Sequence, residues 1–439
     1  MSATAVILAA GFGTRMKSDL PKTLHKIAGK PMLRHLIDSC AAVFERIVVV
    51  VGPETALVGQ QAAPWPCVVQ HDRLGTAHAA LQAAAHFGDG EVAVLYADNP
   101  LITPDTLRRM LARRQQGDVG LALLAMRPAD PARYGRVIAE DGYVERIVEY
   151  KDATPAERAI GLCNAGVLCA AAAPMLAWLR AVKNDNAQRE YYLGDVVEHA
   201  RAQGARVAAI EAPEAEVLGI NSRAEQARAE AEIQRRLRAA AMDAGVTLIA
   251  PETVFLSTDT TFGPDVIIHP NVVFGPGVHI AKGAEIKSFS HLEGCIVHER
   301  AIIGPFARLR PGADIGMDAH VGNFVEIKAS TLAAGVKANH LSYIGDTTIG
   351  VKTNIGAGTI TCNYDGFDKH RTTIGANVFV GSNNTLVAPI TIGDNAMTTA
   401  GSVLTHDVEA DAMAFGRARQ ETRPGHATAF RAARTKEKH

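Results

Sequence analysis

An α/β domain built on a mostly parallel sheet, joined to a parallel β-helix, is the fold class that this 439-residue sequence predicts. Three observations lead there. Short β-branched runs alternate with helical patterns through the first half; an Ala/Arg/Glu-rich helix follows Ser222; a six-residue hydrophobic period fills the second half. The length exceeds what one ordinary core fills, so two or three domains are expected.

The first strand, Val6–Leu8, enters a loop containing Gly11, Gly13, Arg15 and then the Pro21–Lys22 pair. Such a loop either turns its amides toward a phosphate or is only a tight turn. It is not the dinucleotide fingerprint, because Arg15 and Met16 stand where a third glycine is needed, and it is not a P-loop, because Met16 precedes Lys17 and Ser18. Further strands are expected at Ile47–Val51, Val92–Tyr96, Gly120–Ala125 and Gly166–Cys169, with helices at Pro31–Phe44 and Thr76–His86. In sheets of this kind ligands sit at the carboxyl ends of strands. Asp98, within "VAVLYADNP", and Glu149, the last residue of "ERIVE", stand at such ends. Asp98 either offers a hard oxygen to a divalent cation or caps the next turn.

Composition excludes several classes. A formal net charge of −1 argues against a nucleic-acid binder. The six cysteines contain no Cys-x-x-Cys pair and read as reduced, mostly buried thiols of a cytoplasmic protein. The apolar opening lacks a basic n-region and is cut by the glycine loop, so it reads as a strand and not a signal peptide. No apolar run approaches the roughly 20 residues that span a bilayer. Neither a nucleic-acid nor a membrane partner is expected.

Ser222 and Glu225 form a capping box that opens a helix running toward Gly245. Its apolar face is thin, which predicts a connecting arm over 223–244 between domains at 1–222 and 245–439. From Phe262 onward the sixth-position residues, Thr398 excepted, are aliphatic or aromatic: Phe262, Ile268, Phe274, Ile280, Ile286, Leu292, then Ile303 to Ile327, then Tyr343, Ile349 and Ile355, then Ile374 to Leu404. This is the hexapeptide period of a β-helix, one side of a triangular coil per repeat. The phase slips between Leu292 and Ile303, Ile327 and Tyr343, and Ile355 and Ile374. These stretches are expected to leave the coil as loops that gather chemistry, carrying Lys328, His340, Asn363 and Tyr364.

The stretch "LAAGFGTRM…PK" resembles the signature of sugar-nucleotide pyrophosphorylases. With the β-helix and the stretches "GPFARLRPGA", "HVGNFVEIK", "NHLSYIGD", "NIGAGTITCNYDG" and "VFVGSNNTLVAP", nearly the whole chain resembles the bifunctional N-acetylglucosamine-1-phosphate uridyltransferase/glucosamine-1-phosphate acetyltransferase family of bacteria. The resemblance implies a Rossmann-like nucleotidyltransferase domain followed by a left-handed parallel β-helix, and a cell-wall precursor as the product. In the first half it implies UTP contacts from Leu8, Ala9, Ala10 and Gly11, and charge neutralisation by Arg15 and Lys22. It assigns the uracil edge to Gln70, with Gly75 and Thr76, and places Tyr96 and Ala97 nearby. Mg²⁺ would be held by Asp98 and Asn221, and the acetylated sugar by Gly135, Glu149 and Asn164.

In the second half the resemblance implies that Arg310 and Lys328 grip the phosphate of glucosamine-1-phosphate and that His340 is the general base. Imidazole suits that role because its ordinary pKa, about 6.5, lies near working pH. Tyr343, Asn354, Asn363 and Tyr364 would complete the sugar pocket. Ala357, Ser382, Ala400 and Arg417, with Asn363 and Tyr364, would hold acetyl-CoA, and the basic tail from Arg431 would either meet coenzyme A phosphates or fray. A homotrimer with acetyl sites at subunit junctions is implied, because His340 and Arg417 lie several coils apart. Phe12, Ala97 and Ala165 depart from the family pattern, which expects a base, a glycine and a threonine there; Cys362 reads as a buried structural thiol. The competing readings are a single-function pyrophosphorylase with an oligomerising β-helix, and a β-helix that is only an assembly scaffold.

Overall fold

A computed structural model describes residues 2–131, 134–186 and 188–435. The chain falls into two units, Met1–Leu237 and Arg238–His439.

In the first unit the strands used below are β1 (Ala3–Leu8), β2 (Arg46–Val51), β3 (Cys67–Val69), β4 (Glu91–Tyr96), β5 (Leu121–Met126), β6 (Arg136–Glu140), β7 (Tyr143–Val148), β8 (Cys163–Ala171) and β9 (Val207–Glu211). The main sheet runs β9-β5-β8-β4-β1-β2-β3, with β6 and β7 paired beside β8. Strands β4, β1, β2 and β3 are mutually parallel, whereas β8 is antiparallel to both neighbours. All six residues of β1 are buried, as a sheet covered on both faces requires. Alternation then splits them: Ala5 and Ile7 join one core cluster, Val6 and Leu8 the other. Helix α1 (Met32–Ala41) lays Leu33, Leu36, Ile37 and Cys40 on the first face, a helical spacing. Helix α2 (Thr76–Gln82) lays Ala77, Ala79 and Ala80 on the other.

The long helix α3 (Arg223–Asp243) starts after Ser222, whose Oγ accepts from Glu225 N at 3.3 Å as expected, while the Glu225 carboxylate reaches one residue past the reciprocal half of a capping box and accepts from Asn221 N at 2.7 Å. The expectation of a bare arm is corrected. Ala229 and Ile233 pack with Ile27, Met32, Leu101 and Ile220, so one small-residue stripe suffices to seat the helix on the first unit. Further on, Arg238 is buried and donates to Glu252 at 2.8 Å.

The second unit is a parallel β-helix of the left-handed, hexapeptide class, whose short strands stack into three faces of ten, eight and eight strands. The sixth-position residues point inward: Ile268, Ile286, Leu292, Leu309, Val321, Val380 and Ile392 are fully buried. Tyr343 departs from that pattern. It is half-buried, and its neighbour Ile344 fills the interior instead.

The phase slips need a second correction. At the first two the chain stays in the coil: Leu292 pairs with Leu309 and Ile327 with Ile344, 17 residues on, against 18 for Leu309 and Ile327. One corner is simply a residue shorter, turned by Gly294 (φ 53°) and Ala329 (φ 45°). Only the third slip projects: Thr361 pairs with Leu386, 25 residues on, and 363–371 bulges out. All these irregularities lie at one corner of the triangle, which Lys328, Asp346 and Asn363 occupy in successive coils.

Candidate functional site

The carboxyl ends of β1 and β4 open into a cavity of about 240 Å³. Strand β1 stands between β4 and β2, where the sheet order reverses, the usual place for a ligand crevice. Leu8, Ala9, Ala10, Gly11, Lys22, Gln70, Gly75, Thr76, Tyr96 and Asp98 all line it. So do Thr23, Arg73, Ala79 and Glu190, which sequence reasoning missed. Arg15 is exposed on the neighbouring turn, and Ala97 buries its methyl in the core, away from the lining. The buried Gln70 amide donates to Gly75 O at 3.1 Å and meets His78 Nδ1 at 3.1 Å, so its oxygen is the group it can offer a ligand. Burial pushes the Tyr96 hydroxyl up to about 12, opposed by a hydrogen bond with Thr76.

Two glycines shape this mouth. Gly13 has φ 72°, and a Cβ there would lie 2.4 Å from Lys22 Cβ, so the loop and the lysine stem pass closely. Gly75 has φ 117°, and a Cβ would lie 2.5 Å from Tyr191 O. Lys22 reaches between Asp98 Oδ2 (2.5 Å) and Asn221 Oδ1 (2.9 Å). Asn221 is brought there by Ile220 N, which donates to Asp98 O at 2.9 Å. Two hard oxygens already flanking a cation fit a magnesium ion, whose remaining ligands would be phosphate and water. Among the described residues no group of three His, Cys, Asp or Glu forms another such centre.

Gly135, Glu149 and Asn164 gather beside this cavity, outside its lining. Asn164 N donates to Gly135 O at 2.9 Å, and a Cβ on Gly135 would lie 3.1 Å from Glu149 Oε1. Asn164 Oδ1 accepts from Gly166 N at 2.9 Å, and the Tyr96 ring lies against Gly166. Burial, then Asp152, raises the Glu149 carboxyl.

On the β-helix, Arg310 donates to Glu326 at 2.8 Å, while Lys328 approaches Asp346 Oδ2 at 3.4 Å and Asn363 bonds the same oxygen. The Tyr343 hydroxyl lies over Gly345 beside the Asn363 amide. Glu326 and Asp346 were missed in the sequence, because they lie 16 residues from Arg310 and 18 from Lys328 and meet them only when successive coils stack. His340 is exposed, with Nδ1 3.0 Å from Asn323 Oδ1, its partner in the coil below. Asn354 is half-buried one coil on, paired with Lys337. Tyr364 is exposed in the bulge, its hydroxyl donating to Gly366 O at 2.6 Å.

Ala357, Ser382 and Ala400 continue upward from His340 along one edge. Gly358 N donates to His340 O at 3.3 Å, Asn383 N to Ala357 O at 2.7 Å and Gly401 N to Ser382 O at 2.8 Å, and Arg417 lies beside Gly401. One chain therefore supplies the whole row. The distance from His340 to Arg417 does not by itself call for a neighbouring subunit. Cys362 is partly exposed, against the expectation of a buried thiol there; Cys67 is exposed and the other four are buried, in keeping with mostly buried thiols. The tail is helical over His426–Thr435, and residues 436–439 lie outside the described ones.

Fold and sites together define a nucleotidyltransferase joined to a hexapeptide-repeat transferase. Residues 5–192 match the MobA-like NTP transferase domain, and 371–406 match the bacterial transferase hexapeptide (six repeats). The chain is 66% identical to the bifunctional protein GlmU of Gluconacetobacter diazotrophicus, covering 99% of this chain and 95% of that one, and 60% identical to that of Acidiphilium cryptum, covering 98% and 99%. Among solved structures, UDP-glucose pyrophosphorylase complexed with UDP-glucose aligns with a TM-score of 0.45 at 19% identity, covering 54% of this chain and 100% of that one. The chain belongs to the bifunctional GlmU family. It is a two-activity enzyme of UDP-N-acetylglucosamine synthesis, an acetyltransferase for glucosamine-1-phosphate and a uridylyltransferase for N-acetylglucosamine-1-phosphate.

Proposed function

We propose that the two reactions divide between the two constellations, with acetyl transfer at the β-helix preceding uridylyl transfer at the sheet cavity. Arg310 and Lys328 would hold the phosphate of glucosamine-1-phosphate, turning from Glu326 and Asp346 toward it, with Tyr343, Asn354, Asn363 and Tyr364 around the sugar. The Asn323 oxygen beside His340 Nδ1 favours a proton on that nitrogen, which leaves the Nε2 lone pair as the base. His340 takes a proton from the amine as its nitrogen attacks the acetyl carbon, and the thiol of coenzyme A departs. Ala357, Ser382, Ala400 and Arg417 would line the acetyl-CoA arm.

In the first half, Leu8–Gly11 and Gln70, Gly75 and Thr76 would orient the nucleotide, with Gly135, Glu149 and Asn164 on the acetylated sugar. A phosphate oxygen of N-acetylglucosamine-1-phosphate attacks the α-phosphorus of UTP in line, and pyrophosphate leaves. Lys22 and Arg15 offset the charge of the phosphates. Asp98 and Asn221 would hold a magnesium ion, which when bound supplies further positive charge against those phosphates.

The observation that carries the reading is the pair Lys22–Asp98–Asn221 and His340–Asn323, one constellation in each unit. A passive or merely oligomerising β-helix would have no use for a column of Arg310–Glu326 and Lys328–Asp346–Asn363. The test is one assay pair on the purified chain: pyrophosphate release from UTP with N-acetylglucosamine-1-phosphate, and thiol release from acetyl-CoA with glucosamine-1-phosphate. Activity in the first alone would restore the single-function alternative. We further infer a cytoplasmic homotrimer. Its support is six unpaired thiols, no described helix able to cross a membrane, and a corner row of exposed Phe289, Phe306 and Phe324, stacked at 4.9 and 5.2 Å. Light scattering giving a single-chain mass would overturn it.

A further inference from the structure

We propose that Arg73 and Phe12 form a clasp that holds the phosphate loop closed over the nucleotide cavity, and that this clasp sets the affinity for UTP. The inference rests on assigning that cavity to UTP.

Three loops leave the carboxyl ends of β1, β2 and β3, and Arg73, carried by the third, touches the other two. From the β3–α2 segment its Nε donates to Ala10 O at 3.1 Å, in the loop after β1. Its Nη2 pairs with Glu54 at 2.7 Å, in the turn after β2. Its guanidinium carbon lies 4.7 Å from the centre of the Phe12 ring, at the crest of the loop. Arg73 also lines the cavity, next to Ala10 and Gly11. The backbone makes room for this arrangement. A Cβ on Gly52 would sit 2.8 Å from Arg73 Nη2 and 3.1 Å from Ala10 O, so a side chain there would push the guanidinium off both partners.

The arrangement also accounts for a residue that otherwise fits poorly. Phe12 is 43% exposed, a large apolar ring at the tip of a polar loop, where a basic residue is expected. A flat guanidinium over its face gives the ring a partner, and planar Arg does this better than Lys. The positive charge missing at position 12 is thereby supplied at the same mouth from the opposite side. A loop fastened in this way loses less freedom when the triphosphate arrives. Arg73 is thus a positioning residue whose removal should weaken nucleotide binding more than it slows transfer.

Uridylyl transfer is measured at saturating N-acetylglucosamine-1-phosphate and varied UTP for the full chain and for Arg73→Met, Phe12→Ala, Gly52→Ala and the Arg73→Met/Phe12→Ala pair. Acetyl transfer by the same samples reports that they are folded. Each single variant should raise KM for UTP about tenfold, equivalent to about 1.4 kcal/mol, with a smaller change in kcat. The pair should be no worse than the worse single, because one clasp is broken only once. Phe12→Tyr, which keeps the ring, should recover most of the affinity lost in Phe12→Ala. An unmoved KM in Arg73→Met, or effects that multiply in the pair, would overturn the clasp while leaving the site assignment intact. A wild-type chain that acetylates but transfers no uridylyl group would sink the assignment and the clasp together.

Discussion

Lys22 Nζ stands 2.5 Å from Asp98 Oδ2, with the two side chains only 12% and 20% exposed. The ammonium thus sits where a metal ion would compete with it, and charge at this mouth is balanced before any substrate arrives. Asp98→Asn should abolish uridylyl transfer and leave acetyl transfer near the wild-type rate. Lys22→Met should also impair uridylyl transfer, yet tighten Mn²⁺ binding to the nucleotide-free protein, since the competing cation is gone. Electron paramagnetic resonance of free Mn²⁺ reads this directly; weaker binding in Lys22→Met would refute the competition.

His340→Ala should lower acetyl transfer by roughly 10²–10⁴-fold, the usual worth of a general base, without touching uridylyl transfer. Asn323→Ala should cost less and act mainly on kcat, because Asn323 holds the ring through its contact with His340 Nδ1 at 3.0 Å. Equal damage to both activities in a folded His340→Ala chain would rule out two separate sites.

Acidity should act on the first unit through Asp195. Burial, then Glu198 and Glu149, pushes its carboxyl up to about 6. Unfolded, the same group titrates near 3.9. A raised carboxyl favours the folded state while protonated, so this contribution is complete below about pH 4 and fades as pH rises through about 6. Asp195→Asn should flatten that part of the profile. Both tryptophans, Trp65 and Trp178, lie in the first unit, so the urea midpoint of their fluorescence between pH 4 and 7 measures it. A wild-type midpoint rising relative to Asp195→Asn across that range would show the sign to be wrong.

A fragment of residues 238–439 should fold and acetylate alone. The cut belongs before Arg238 and not at 245, since the buried Arg238 side chain donates to Val254 O and Glu252 within the second unit. Circular dichroism with the thiol-release assay decides; a folded fragment without activity would mean that the first unit contributes to acetyl transfer.

Periodicity made most of the architecture legible. Inward positions such as Ile286 and Val321 follow from counting by six, and the phosphate loop follows from Gly11, Gly13 and Lys22. What stayed hidden depends on register. Tyr343 was assigned to the interior because counting by six cannot see a corner one residue short, which moves Ile344 inside. Asn323 became visible only once residues 17 apart were known to be neighbours, and Asp346 only once the stacked coils set it beside Lys328 and Asn363. Arg73 could not be picked out because its partners, Ala10, Phe12 and Glu54, are remote in sequence and meet only when three strands lie side by side. The thin stripe of α3 looked insufficient for packing, yet Ala229 and Ile233 join the cluster of Ile27, Met32, Leu101 and Ile220.

The row from His340 through Ala357, Ser382 and Ala400 is also a ruler. Each step up the edge is one strand spacing, about 4.8 Å, so the three steps measure about 14 Å. On the assignment proposed above, an extended thioester arm lying along the edge, acyl end at His340, would have its reach graduated in coils, not in flexible loop. Inserting or deleting one whole coil between His340 and Arg417 would lengthen or shorten that scale by a single graduation while preserving every corner. Carrier length is then a property counted in repeats, and evolution could retune it by duplication without redesigning a single contact.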